Sequence, residues 1–151
     1  MLTRLASLKD LKQSIGAELG PSEWLDIDQA RINAFAAATN DHQWIHVDEK
    51  RAAAGPFGKT IAHGFLTLSL VSYFTPQLIE VNGLSLVVNY GTDRVRFVSP
   101  VPVNSRVRAR GTIANVKDVD GGAQLTIATT IELEGAPKPA CVADCLVRFY
   151  T

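Results

Sequence analysis

"IAHGFLTLSLVSYF", residues 61–74, is the stretch whose reading decides the architecture. Phe65, Leu66, Leu68, Leu70, Val71 and Phe74 cover nearly the whole circumference of a helix rather than one stripe, which predicts a helix buried on most sides, with Pro76 at its end. From Leu84 onward the apolar period changes to two. "LSLVVNY", "DRVRFV", "SRVRARGTIANV", "AQLTIATTIELE" and "ACVADCLVRFY" read as antiparallel strands, with turn chemistry at "SPVPVN", "DVDGG" and "EGAPKP". Helices first and strands after predict an α+β fold, one antiparallel sheet wrapped around one buried central helix.

The segments before that helix prepare its surroundings. Ser7 with Asp10 resembles a capping box opening a helix through Leu8, Leu11 and Ile15, with Gly16 as its stop, so residues 1–20 read as a short N-terminal helical extension over one edge of the domain. "SEWLDI" can form a strand, and Asp28 caps "QARINAFAAAT", where Ile32, Phe35 and Ala36 recur at helical spacing. Asp48 opens a second short helix, "EKRAAAG", stopped by Gly55 and Pro56, and "FGKT" is a loop.

At 151 residues and 46% hydrophobic content the chain can close one core, and a single domain spanning 1–151 is expected. Fifteen Lys plus Arg balance fifteen Asp plus Glu, so no overall field draws it to nucleic acid or an anionic membrane. The N-terminus has no signal-peptide pattern, and nowhere do the roughly eighteen unbroken apolar residues of a membrane span occur. A cytoplasmic protein is expected. Cys141 and Cys145 fall in one strand, where four residues at ~3.3 Å each exceed disulfide reach, so they read as buried thiols in a reducing compartment.

Candidate chemistry lies in "ATNDHQWIHVDEKRA", residues 38–52, which sets Asp41 and His46 five positions apart. Alone, an Asp after a helix usually caps and a lone His is usually an ordinary loop residue. The glycine of "TIAHGF" changes the weighing. At the first turn of the buried helix the Gly64 amide is unpaired and lies at the positive end of the dipole, where it could hold a carbonyl oxygen that gains charge. A carboxylate and an imidazole beside that carbonyl could share one water and pass protons across an adjacent carbon–carbon double bond.

On these residues the chain resembles the MaoC-like, (R)-specific enoyl-CoA hydratases, a family with the hotdog fold that includes nodulation-protein-like members. The family motif runs Gly-Asp-x-Asn-Pro, then Leu, Ile or Val, then His, with a small residue six positions on. Here it reads Asn40-Asp41-His42-Gln43-Trp44-Ile45-His46, with Ala52 as the small residue. "AHG", Ala62 to Gly64, and "VRFVSPV", Val95 to Val101, also match, and the similarity covers roughly Trp24 to the C-terminus. Asn40, Gln43 and Trp44 depart from the motif.

The resemblance implies a hydro-lyase that adds water to trans-2-enoyl thioesters to give (3R)-3-hydroxyacyl thioesters. It implies Asp41 and His46 as the catalytic pair, the Gly64 amide at the thioester oxygen, and no cofactor beyond the coenzyme A of the substrate, or an acyl carrier in its place. It implies a homodimer, or a dimer of dimers, joined edge to edge. A hotdog thioesterase and a non-catalytic acyl-thioester-binding module are the rival readings, the latter motivated by Gln43 and Trp44.

Other candidates each carry an ordinary alternative. His63 either points at the thioester or fixes the start of the helix by bonding a neighbouring loop, the second being favoured. Gln43 can offer amide hydrogen bonds to substrate, and Trp44 either restricts acyl length or packs as a lid. Tyr90, Phe57 and Phe65 line an acyl channel or fill core. Lys59 is a candidate for the coenzyme phosphates, whereas Arg106, Arg108 and Arg110 on one strand face read as a solvated surface. His42 and His46 have the i, i+4 spacing of metal ligands but lack a third, so no metal is expected.

Overall fold

The computed structural model describes residues 1–151. The chain opens with β1 (Thr3–Leu5), α1 (Leu8–Gln13) and β2 (Glu18–Leu19). Ser7 caps α1, its hydroxyl accepting the Asp10 amide and donating to the Asp10 carboxylate. This opening segment does lie along a sheet edge, with Leu19 paired to Gly111. It is also more than an appendage, because Leu11 and Leu19 are buried in the main core.

β3 (Leu25–Ile27) leads to α2 (Gln29–Thr39), capped by the Asp28 carboxylate on the Arg31 amide at 2.8 Å. The polar stretch after α2 contains one turn of helix, α3 (Trp44–Val47), followed by α4 (Glu49–Ala53), which Asp48 caps. The central helix comes as α5 (Gly64–Ser69) and α6 (Val71–Leu78), joined at Leu70, whose amide bonds back to Leu66 and Thr67. Pro76 lies inside α6 instead of ending it. Its missing amide frees only the carbonyl of Ser72, which is exposed, so the final turn survives.

β4 (Ile79–Val81) runs parallel to β1, and the remaining chain is β5 (Leu86–Phe97), β6 (Ser105–Val119), β7 (Gly122–Leu133) and β8 (Cys141–Tyr150). The main sheet has the order β2-β6-β7-β8-β5, with β3 also paired to β6. Its main-strand pairs are antiparallel. The expected strands "LSLVVNY" and "DRVRFV" are one strand, β5, whose register shifts at Asn89/Gly91 and Asp93/Arg96 absorb the extra residues.

Alternation on β8 sends Cys141, Ala143, Cys145, Val147 and Phe149 inward, where they meet Leu66, Leu70, Phe74 and Leu78 of the central helix. Phe74 is fully buried, and truncating such a ring to Ala usually costs about 3–5 kcal/mol. The two cysteines are free and buried, as their spacing implied. Burial pushes the Cys141 thiol up to about 11, which leaves it unreactive at neutral pH.

The helix is not enclosed on all sides. Phe65 and Tyr73 are exposed, and so is nearly all of β5, the outermost strand, including Leu86, Val87, Tyr90 and Phe97. No helix is long and apolar enough to cross a membrane.

Candidate active site

Asp41 follows the C-terminal cap of α2, His46 lies on α3 and Gly64 begins α5. α2 terminates at Asn40, which takes a left-handed conformation, φ 56 and ψ 26, and turns the chain so that Asp41 follows immediately. Asn tolerates that region better than most residues. His46 lies within α3 and is buried, 6% exposed. The fold brings one side-chain ligand atom each from Asp41, His46 and His63 within 4.8 Å of one another.

Hydrogen bonds assign the imidazole protons. His46 Nδ1 lies 2.7 Å from the carbonyl oxygen of Ile61, so Nδ1 carries the hydrogen and donates it, leaving the Nε2 lone pair free. Burial holds the His46 imidazole below its ordinary value, the Ile61 carbonyl works against that, and nearby His63 works with it. The His46 imidazole is therefore neutral at pH 7. Asp41, by contrast, has a side chain 52% exposed in the single chain.

A cavity of about 330 Å³ opens beside His46, walled by Ile45, Phe57, Gly64, Thr67, Phe97 and Val101 among others. Gly64 starts α5 and no side chain caps that turn. Phe97 lies so close over it that a Cβ at this position would meet the ring at 2.6 Å. Only glycine leaves the amide reachable there.

The structure redistributes several expected substrate contacts. The Trp44 indole packs on Gly55 with the Arg51 guanidinium 4.3 Å above it, away from the cavity. Tyr90 lies in a bulge of β5 and stacks on Arg148 at 3.5 Å, on the outer sheet face, so it does not line the cavity at His46. His63 is 2% exposed and bonds protein through Nε2, which rules out a contact with substrate through that edge. Gln43 and Lys59 are exposed and outside the cavity wall. Phe57 does line it, while Phe65 lies outside the wall and packs edge-on against Phe97. Arg106, Arg108 and Arg110 pair with Glu134 and Glu132 across the strands, a solvated ladder.

Asp41, His46 and His63 are also the residues that could approach a metal ion. The two rings are stacked, 3.8 Å and 24° apart, so their lone pairs lie in nearly parallel planes.

A family model described as "MaoC like domain" matches residues 10–136. The chain belongs to the MaoC-like domain family. It is 53% identical over 144 residues to 3-hydroxyacyl-thioester dehydratase Z of Mycobacterium tuberculosis (strain ATCC 25618 / H37Rv), covering 95% of each chain. It is 47% identical over 143 residues to nodulation protein N of Rhizobium leguminosarum bv. viciae, covering 91% of this chain and 88% of that one. Among solved structures, the (R)-hydratase from A. caviae involved in PHA biosynthesis superposes with a TM-score of 0.70 at 27% identity, over 88% of this chain and 94% of that one. The sheet folded around α5 and α6 is the hotdog fold of MaoC-like proteins.

The departures from the MaoC-like motif keep its local backbone shape. Asn40 takes the left-handed position that the motif gives to glycine. Trp44 stands at the first residue of α3, where the motif's proline is favoured for its fixed φ; the turn forms without it. The Gln43 side chain makes no cap, but its backbone N–H donates to Asp41 Oδ1 at 3.4 Å and steadies the carboxylate.

Sequence reasoning missed Gln29. Its side-chain amide donates to the His46 carbonyl at 2.7 Å, while its Oε1 accepts the hydroxyl of buried Thr60 at 2.5 Å. One residue thus ties α2, the histidine and the segment leading to Gly64. A glutamine right after a helix cap carries no signal of this kind, since its partners lie 17 and 31 residues away.

Proposed function

We propose that this MaoC-like hydro-lyase is an (R)-specific enoyl-CoA hydratase, adding water reversibly to trans-2-enoyl thioesters to give (3R)-3-hydroxyacyl thioesters. The observation that carries this reading is the juxtaposition of Asp41 with His46, whose free Nε2 stands beside a cavity bounded by Gly64. His46 Nε2 takes a proton from water as its oxygen bonds to C3. Asp41, in its acid form, gives a proton to C2 on the same face. The charge that gathers on the thioester oxygen meets the Gly64 amide. His46 then returns its proton to Asp41, which restores the starting pair.

The acid form of Asp41 calls for desolvation, which one chain does not supply. We assign that role to the acyl chain, which displaces water from the cavity, and to a second copy of the protein. The bare antiparallel edge of β5 and the exposed Phe65 and Tyr73 support a homodimer, or a dimer of dimers, as the working form. No cofactor enters these steps; coenzyme A comes as part of the substrate, with Lys59 the candidate for its phosphates. The free thiols suit the reducing cytoplasm.

Crotonyl-CoA separates the readings. Hydration removes enoyl absorbance and chiral analysis then gives the (3R) alcohol; a thioesterase would release free thiol; a binding module would do neither. Purified protein that binds crotonyl-CoA and leaves its absorbance unchanged overturns the proposal.

A further inference from the structure

We propose that His63 is a positioning residue that holds the acid, the base and the oxyanion amide in one register, a reading that rests on the hydratase assignment above. The ring is sandwiched between His46, 3.8 Å away and stacked, and Phe35 of α2, 4.9 Å away and tilted. Its Nε2–H donates to the backbone carbonyl of Asp41 at 3.0 Å. Its own backbone caps the turn that begins with Gly64, its carbonyl accepting the Thr67 amide. One residue thus touches His46 through its ring and Asp41 through its edge, and adjoins Gly64 through the chain.

The tautomer shows that this arrangement is kept at a cost. With the hydrogen on Nε2, His63 Nδ1 is an acceptor, and it is the one buried side-chain polar atom in the structure without a partner. An unpaired buried acceptor destabilises a fold, and an apolar ring of the same shape would remove the penalty. Phenylalanine would keep the packing on Phe35 and the face of His46. It would lose only the bond that fixes Asp41. A histidine retained for packing alone would therefore be improved by that change, and one retained for positioning would not.

The charged and titratable groups facing His63 are the Asp41 carboxylate, with Oδ2 3.9 Å from Nε2, and the His46 imidazole across the stack. Protonating His63 would bury a cation against a ring that must itself accept a proton in turnover. Across the stack His63 lowers the proton affinity of His46.

His63→Phe and His63→Gln test this. The expected result for His63→Phe is a melting temperature at or above wild type, with kcat on crotonyl-CoA lower by about tenfold or more and KM nearly unchanged. His63→Gln, which keeps an N–H donor for Asp41, recovers part of kcat; it carries the test alone if the phenylalanine variant does not fold. NMR titration of the His46 ring, without substrate, is expected to shift its midpoint upward in His63→Phe. Wild-type kcat in folded variants, a loss confined to KM, or an unmoved His46 titration each overturns the proposal. Failure of the hydratase reading would show separately, as wild-type protein inert toward crotonyl-CoA.

Discussion

Phe97 presses against Gly64: a methyl group added to the glycine would sit 2.6 Å from the ring, inside any tolerable contact. The strand residue thereby sets how closely a ligand can approach the first amide of the central helix. Gly64→Ala is expected to displace Phe97 and to cost about 1–3 kcal/mol in stability, as overpacking does. Smaller Phe97→Leu placed in the Gly64→Ala background should restore most of that stability. Urea denaturation of the single and double variants checks the coupling; purely additive changes would mean that the two residues do not press on each other.

Asp41→Asn removes the acid without disturbing the core, because the side chain is half exposed. Melting is expected to stay within a few degrees of wild type while kcat falls by about 10²-fold or more, the usual worth of a positioned proton donor. Thermal melts and initial rates on crotonyl-CoA give both numbers. A folded Asn variant with undiminished turnover would remove Asp41 from the mechanism.

His46 gives the pH dependence. Its folded-state value is held below the ordinary 6.5, so in the window under 6.5 the unfolded chain binds the proton more readily than the native one. The stability due to neutral His46 is fully present above that value and is lost as pH falls through the lowered folded value. Activity should follow the same sense, with an acidic limb of kcat/KM whose midpoint lies below 6.5. Rate profiles and melts from pH 5 to 8 test this, and a limb above 6.5 would contradict the burial of the base.

Gln29→Leu cuts the tie between α2, the His46 carbonyl and the Thr60 hydroxyl. Two buried partners lose their bonds, so a loss of about 1–3 kcal/mol per orphaned group is expected. Turnover should fall more than stability alone explains, since α3 carries the base. Comparison of kcat at a temperature where the variant is fully folded distinguishes the two effects.

The amino-acid sequence by itself determined the α+β plan, the central helix and the period-two strands, because these follow from local spacing, capping and turn chemistry, whereas Asp41, His46 and Gly64 were marked out by their resemblance to the MaoC-like motif. Even the left-handed turn at Asn40 is a local matter. Tertiary structure alone decided which groups face the cavity. Trp44 covers Gly55, Tyr90 stacks on Arg148 and His63 turns its edge to Asp41, while Thr67 and Phe97 form the wall. The tautomer of His46 depended on the Ile61 carbonyl, and its placement on Gln29, contacts that arise only when α2, α3 and the start of α5 pack together. Side-chain direction across a bulged strand, and hydrogen bonds between distant segments, are set by packing whose partners no local pattern can name.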